Sequence, residues 1–386
     1  MYKIKTFNKI DPAGLNKLND NFAITEDNDY DGIILRSYKM TEAELTDKLV
    51  AVARAGAGYN NIPVDLYAEN GVVVFNTPGA NANAVKEITI LAALMASRKV
   101  APAIEWVQGL KDTGVEVTKE VEAQKAAYTG PELLGKKVGI LGLGAIGVIV
   151  ANAFADLGME VYGYDPFISV ENAWHLQADI NRVAKPEWLF ENCDYVTIHI
   201  PLSDATKGFV GKDLIGVAKK GIRILNMARG ELCDNKAIID GINDGTIAAY
   251  VTDFPDNELL GIDGIIPIPH LGASTPESET NCAIMAANQI AEYIQYGNIK
   301  NSVNYPDCDM GRKATVDRIT LNHLNIPNMV GQITTVLAND NINIANMINK
   351  SRGEYAYTII DVDNKITDEV VADLKAIGGI MKVRVI

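Results

Sequence analysis

Residues 138–147 read VGILGLGAIG, a short apolar run leading into glycines 142, 144 and 147 with the spacing G-x-G-x-x-G. AIGVIVANAFADLG follows with the apolar spacing of a helix. In a strand–turn–helix context each glycine has its own task. Gly142 allows the tight turn, Gly144 lets backbone N–H groups approach a pyrophosphate, and Gly147 brings helix close to strand. The helix N-terminus adds unpaired N–H groups and the positive end of its dipole. The next apolar run, EVYGYDP (160–166), ends on Asp165, which is placed to accept from the adenosine ribose hydroxyls and to repel a 2′-phosphate. No Lys or Arg follows until Arg182. The pattern predicts NAD rather than NADP.

The stretch comes late, with 137 residues ahead of it. In that first section DGIILRS (31–37), LVAVARAG (49–56) and GVVVFNTPG (71–79) are β-branched runs bounded by Gly, Pro or Asn, as strands are. TEAELTD and VDLYAEN between them carry helical start signals. A second βα series runs from KKVGILGLG (136–144) through EVYGYDP, DYVTIHIP (194–201), IRILNMARG (222–230) and IAAYVTDFP (247–255). Long helical patterns at about 81–100 and 278–297 bracket this series and are suited to pair at a domain junction. YPDCDMGRKAT (305–315) has the composition of a linker, and beyond it the order is βαββαβ. The expected fold is α/β: two doubly wound Rossmann-like domains, one inserted into the other, plus a C-terminal ferredoxin-like unit. The expected boundaries are 1–98 with 278–305 for the substrate domain, 99–277 for the NAD domain and 316–386 for the last. Seventy residues make a marginal core, so pairing of that last unit with a second copy is expected.

Composition narrows the function classes. A net charge of −14, from 49 acidic against 35 basic residues, argues against a nucleic-acid face. The longest apolar region, ITILAALMAS (88–97), is flanked by charges and too short to span a bilayer, and no signal peptide opens the chain. A cytoplasmic protein without membrane partners is expected. Cys193, Cys233, Cys282 and Cys308 are scattered, with no metal-ligand spacing, and read as free thiols.

Reactive side chains concentrate just past the ends of the later strands: Arg229 in NMARG, Glu258 after AAYVTDFP and His270 in PHLGAST. Oxidation of a secondary alcohol needs a base for the hydroxyl proton, which an imidazole near neutrality supplies. It also needs a cation for the carboxylate or developing oxyanion, which a guanidinium supplies with bidentate geometry. A carboxylate bonded to the imidazole fixes its tautomer and raises its pKa.

The segments GLGAIG…YDP, HIPLSDAT, NMARGELCDNKAI and PHLGASTPE, in this order, resemble the D-isomer-specific 2-hydroxyacid dehydrogenase family over roughly residues 30 to 305. The resemblance implies a coenzyme domain inserted into the catalytic domain, joined through a pair of long helices, and dimers formed through the coenzyme domain. It implies Arg229 as substrate-orienting cation, His270 as acid/base and Glu258 as the partner of that histidine. It also implies cofactor contacts from Gly142, Gly144, Ala145, Ile146, Gly147, Asp165, Ile200, Pro201, Thr206, Met227, Ala228, Arg229, Asp253, His270 and Gly272, with no metal. TDFPDNELL lacks the family's proline after the glutamate, and Asp256 is the alternative partner for His270.

The first section adds LRSYKM (35–40), ARAGAGYNNI (53–62) and NTPGANANAVKE (76–87). Glycine-rich turns expose backbone N–H groups to a carboxylate, and Arg36, Lys39, Arg54 and Lys86 bring cations to these loops. RAG.G..NI, with RS upstream and NTPG.N downstream, resembles the family members that act on 3-phospho-D-glycerate. That implies substrate contacts from Arg36, Ser37, Arg54, Ala55, Gly56 and Arg229, with Lys39 and Lys86 as further candidates. The expected reaction is NAD-dependent oxidation to 3-phosphohydroxypyruvate, the first step of L-serine synthesis. Lactate, glycerate and 2-hydroxyglutarate are the alternative substrates within the family, and a non-catalytic NADH-sensing corepressor is the reading from another class. NHLNIPNMVGQITTVLANDNINIA resembles the ACT regulatory domain, which implies an L-serine effector at His323, Asn325 and Asn343 and a homodimer or homotetramer. Asn328 stands where that domain often has glycine.

Overall fold

The computed structural model describes residues 1–386, which divide into two compact units: Met1–Asn81 with Pro276–Ile386, and Ala82–Thr275.

The first unit opens with a five-stranded parallel sheet of β1 (Tyr2–Phe7), β2 (Phe22–Thr25), β3 (Gly32–Leu35), β4 (Ala51–Arg54) and β5 (Val73–Phe75), in the order β2-β1-β3-β4-β5. β3, β4 and β5 are the expected strands. The first two come from a polar-looking N-terminus whose strands only pairing reveals. TEAELTD forms a single 3₁₀ turn, Glu42–Glu44, rather than a helix. Thr41 and Glu44 close a capping box, the Tyr38 hydroxyl holds the Glu44 carboxylate, and Leu45 is already extended. The strand order reverses at β1/β3, where ligands gather in such sheets. There the Asn8 side chain accepts the N–H groups of Ser37 and Tyr38 at 2.9 and 2.7 Å.

The second unit holds β6 (Lys137–Leu141), β7 (Glu160–Tyr164), β8 (Asn181–Arg182), β9 (Tyr195–Ile198), β10 (Ile222–Asn226), β11 (Ile247–Thr252) and β12 (Ile265–Pro267). They pair in parallel in the order β12-β11-β10-β9-β6-β7-β8, with the switch point between β6 and β9. The two short outer strands were not legible in the sequence. The helix Ala82–Ser97 buries Val85, Ala92 and Ala93 in one core with Val148, Val150 and Phe154. The division therefore falls at 81/82 and 275/276, not at 98/99 and 277/278. The two long helices, Ala82–Ser97 and Pro276–Tyr296, belong to different units.

The C-terminal sheet, β13 (Asp317–Leu324), β14 (Ile344–Arg352), β15 (Tyr355–Val362) and β16 (Ile380–Val385), is antiparallel in the order β14-β15-β13-β16. The helices Met329–Asn339 and Asp368–Ala376 bury Ile333, Leu337, Val370 and Leu374 against one of its faces. Tyr357 and Ile359 on β15 join a core with Phe75, Tyr293 and Tyr305 of the first unit. This sheet is thus packed into the first unit instead of standing apart. The stretch that reads as a linker is part of the same core: Tyr305 and Cys308 are fully buried, and the Tyr305 hydroxyl donates to the Ala68 carbonyl at 2.7 Å. No helix is long and apolar enough to cross a membrane. The four cysteines are buried free thiols.

Candidate active site

The glycine loop sits at the switch point of the second unit. A side chain on Gly142, whose φ is +96°, would stand 2.7 Å from the His199 carbonyl oxygen at the end of β9. One on Gly147 would collide with the Gly142 carbonyl. One on Gly144 would meet nothing within 4 Å. The first two glycines are needed by the protein's own packing, and the third leaves open space at the N-terminus of the helix Ala145–Asp156, which it caps. That is the cradle a pyrophosphate requires. Asp165 follows β7 and also organises the loop, accepting Leu143 N–H and Phe167 N–H at 2.8 Å each. His199 was not anticipated. Desolvation holds its imidazole down to about 3, so it is neutral, with the Thr197 hydroxyl 3.0 Å from Nε2. Beyond β9, the Thr206 hydroxyl donates to the Pro201 carbonyl at 2.7 Å.

Arg229 follows β10. Its loop is splinted by the fully buried Asn226, whose Nδ2 donates to the Arg229 carbonyl at 2.9 Å while Oδ1 accepts Ala228 N–H at 3.2 Å. The guanidinium lies 5.5 Å from the centre of the Phe254 ring, and the exposed His270 ring lies 4.4 Å from that same centre. Phe254 is therefore a common neighbour of Arg229 and His270. Asp253 beside it is 1% exposed, and Oδ2 accepts Gly272 N–H at 2.9 Å. Burial raises its carboxyl pKa, opposed by that N–H and by the fields of His270 and Arg229. Its Oδ1 has no hydrogen-bond partner in the protein. An orphaned acceptor aimed into a dinucleotide-binding unit fits a cofactor that brings a donor.

The expected Glu258–His270 hydrogen bond is not formed. Asn235 Nδ2 reaches Asp256 at 2.5 Å and Glu258 at 3.1 Å, holding both carboxylates at the surface. With no proline to stiffen the loop, that amide decides where they point.

In the first unit the loops after β4 and β5 are laced together. Gly56 N–H donates to the Thr77 hydroxyl at 2.7 Å, Thr77 N–H to the Gly56 carbonyl at 3.1 Å, and Asn76 Nδ2 to the Ala57 carbonyl at 2.6 Å. Arg54 lies over Gly56, where a side chain would collide with its guanidinium, and its Nε donates to the Arg36 carbonyl at 3.1 Å. Arg36 forms an ion pair with Glu279 at 2.7 Å. Lys39 is exposed. Lys86 donates to Asn83 at 2.6 Å and belongs to the other unit.

In the C-terminal sheet His323 is 2% exposed and consumed internally. Nδ1 is 2.8 Å from the Leu324 carbonyl, and Nε2 is 2.8 Å from the Thr358 hydroxyl and 3.2 Å from the Asn349 amide. Burial lowers its pKa. Asn325 donates to Gly353 at the hairpin end, and Asn343 to Asp363 at the other end. One chain does not bring them together. Asn328 has φ +63°, the left-handed conformation in which asparagine is the usual substitute for glycine.

The model of the family described as "D-isomer specific 2-hydroxyacid dehydrogenase, NAD binding domain" matches residues 90–275. The matched segment carries the glycine loop, Arg229 and His270 together. The chain is 32% identical to the D-3-phosphoglycerate dehydrogenase of Methanocaldococcus jannaschii over 83% of its own length and 60% of the relative's. It is 29% identical to that of Haemophilus influenzae, over 91% of this chain and 85% of the relative. The crystal structure of the NAD⁺-bound 3-phosphoglycerate dehydrogenase of Entamoeba histolytica superposes with a TM-score of 0.61 at 29% identity, covering 78% of this chain and 98% of that one. Several other curated relatives are longer, and the chain spans little more than half their length.

Proposed function

We propose that the chain is an NAD-dependent dehydrogenase that oxidises 3-phospho-D-glycerate to 3-phosphohydroxypyruvate, the first step of L-serine biosynthesis. The observation that carries the reading is the Arg229–Phe254–His270 group beside buried Asp253 in an NAD-binding segment. The names of the relatives support the substrate.

NAD, when bound, supplies the hydride acceptor. Gly142, Gly144, Ala145, Ile146 and Gly147 hold its pyrophosphate, and Asp165 holds the adenosine ribose. Ile200, Pro201, Thr206, Met227, Ala228 and Gly272 line the remainder, with Asp253 accepting from the carboxamide. Arg229 holds the substrate carboxylate, with Ala55 and Gly56 as further candidates to contact the substrate. Arg54, Arg36, Ser37, Lys39 and Lys86 are the candidates for its phosphate. His270 takes the hydroxyl proton on Nε2 or Nδ1. Glu258, or Asp256, supports the imidazole after leaving Asn235.

The assembly is a homodimer built on the helix Val100–Gly109, which buries no residue of its own and exposes Val100, Ile104 and Val107. The C-terminal sheet is an ACT-type unit, and pairing of its edges makes tetramers. L-serine as effector takes Asn325 of one copy and Asn343 of another, because in one chain they lie at opposite ends of strands roughly 25 Å long. His323 supports that loop from inside. The protein is cytoplasmic.

The test is NAD reduction by the purified protein with 3-phospho-D-glycerate, D-glycerate and D-lactate. The phosphorylated substrate is expected to give the highest kcat/KM, and His270→Ala to lower kcat by about 10²–10⁴-fold. Equal rates on the unphosphorylated acids remove the substrate assignment. A fully active His270→Ala removes the mechanism.

A further inference from the structure

We propose that the cavity where the C-terminal sheet meets the loops of the first sheet binds a small zwitterion, an α-amino acid, and that its occupancy bears on the Arg54–Gly56 loop. The cavity is open to solvent, with a volume of about 460 Å³, and its lining includes Tyr59, Asn76, Pro78, Ser302, Asp307 and Arg352. Three stretches far apart in sequence build its walls: the loops after β4 and β5, the crossing segment 301–307, and the end of β14. A volume of this size is ample for a single amino acid.

The charges on its walls select the ligand class. Arg352 donates through Nη1 to the Ser302 carbonyl at 2.6 Å and makes no ion pair. Asp307 accepts the Asn301 N–H at 2.8 Å through Oδ1 and makes no ion pair either. A guanidinium and a carboxylate thus line one cavity without neutralising each other. An α-amino acid carries the complement of both on a single carbon. Its carboxylate takes the guanidinium through charge-assisted hydrogen bonds, and its ammonium takes the carboxylate. Inorganic phosphate meets Asp307 as a like charge, and a simple amine meets Arg352 as one. The Tyr59 phenol and the Asn76 amide remain for the ligand's side chain.

Asn76 connects this cavity to the substrate loops. Its side chain holds the Ala57 carbonyl, its own carbonyl accepts from Gln289 Nε2 at 2.9 Å, and Thr77 next to it is bonded to Gly56. A ligand that moves Asn76 moves the turn over which Arg54 lies. None of His323, Asn325 and Asn343 lines the cavity.

The experiment is isothermal titration calorimetry on the full chain without NAD or hydroxy acid, so its outcome does not depend on the dehydrogenase reading. The probes are the common amino acids taken singly, inorganic phosphate and ethylamine. At least one amino acid is expected to bind, with phosphate and ethylamine weaker by tenfold or more. Arg352→Met and Asp307→Asn, both exposed positions, are each expected to lose at least tenfold in affinity. Glu369→Gln, exposed on the helix Asp368–Ala376 and away from the cavity, is expected to bind as the wild type does. No binding of any amino acid overturns the proposal, as does equal binding of phosphate. Wild-type affinity in both cavity variants, or loss of binding in Glu369→Gln, overturns it as well.

Discussion

Lys382 sits half-buried on β16, its Nζ donating to the Leu49 carbonyl at 2.6 Å. Burial, with Arg384 and Lys375 adding to it and Asp47 opposing, pulls its ammonium down to about 8. The folded protein therefore releases this proton before the unfolded chain does, whose lysines titrate near 10.4. Between about pH 8 and pH 10 the unfolded state binds more protons, so the stability contributed here rises with pH and is lost as pH falls through 8. Urea unfolding of the wild type and of Lys382→Met is expected to show the wild type gaining on the variant over that window, by on the order of 2 kcal/mol. A difference that stays flat with pH contradicts the assignment. Nothing in the local pattern IMKVRVI marks this lysine as buried. The reverse holds for Arg229 and His270, whose neighbours in the sequence already single them out as candidates. Glu258 falls between these cases: its position along the chain is legible, but the amide of Asn235 that directs it comes from another loop.

The strand–loop–helix element around the glycines offers a sharper test, because two chemically identical substitutions have opposite expectations. Gly144→Ala places its methyl in open space, so Tm is expected to stay near wild type while NAD affinity falls at least tenfold. Gly147→Ala drives its methyl into the Gly142 carbonyl, so the helix must retreat from the strand and Tm itself falls. Thermal unfolding with NAD titration reads both effects, and equal Tm losses in the two variants contradict the division of labour. This element was legible because its requirements are local, with a turn, a cap and a helix face within ten residues. TEAELTD was not, because acidic start signals serve a single capped turn as well as a helix. The two- and three-residue strands β8 and β12 leave too little sequence for any period, and only pairing makes them strands.

At the scale of the molecule, the C-terminal sheet grips the carbonyl end of the helix Pro276–Tyr296. Arg318 is fully buried in a bidentate pair with Asp361, at 2.6 and 2.9 Å, and also donates to the Tyr296 and Gly311 carbonyls. Arg384 donates to the Tyr293 and Ile294 carbonyls, and the Tyr357 hydroxyl to that of Gly297. Cations at a helix C-terminus complement its dipole and its unpaired carbonyls. Arg318→Met leaves Asp361 as an uncompensated buried charge and is expected to cost about 3–5 kcal/mol, much of it recovered by adding Asp361→Leu. Because both sheets share one core, urea unfolding is expected to show them melting together; a separate early transition for the C-terminal sheet contradicts this. The sequence by itself determined the βα alternation, the glycine loop with its aspartate, the places of Arg229 and His270 just past strand ends, and the βαββαβ order, since each is written in spacings of a few residues. Tertiary structure alone decided that Tyr305 and Cys308 are core rather than tether, that the C-terminal sheet joins the first unit, that His323 is internal, and that Arg352 and Asp307 line one cavity. Those outcomes depend on which distant segments exclude water together, and burial of that kind leaves no period in a single stretch of chain.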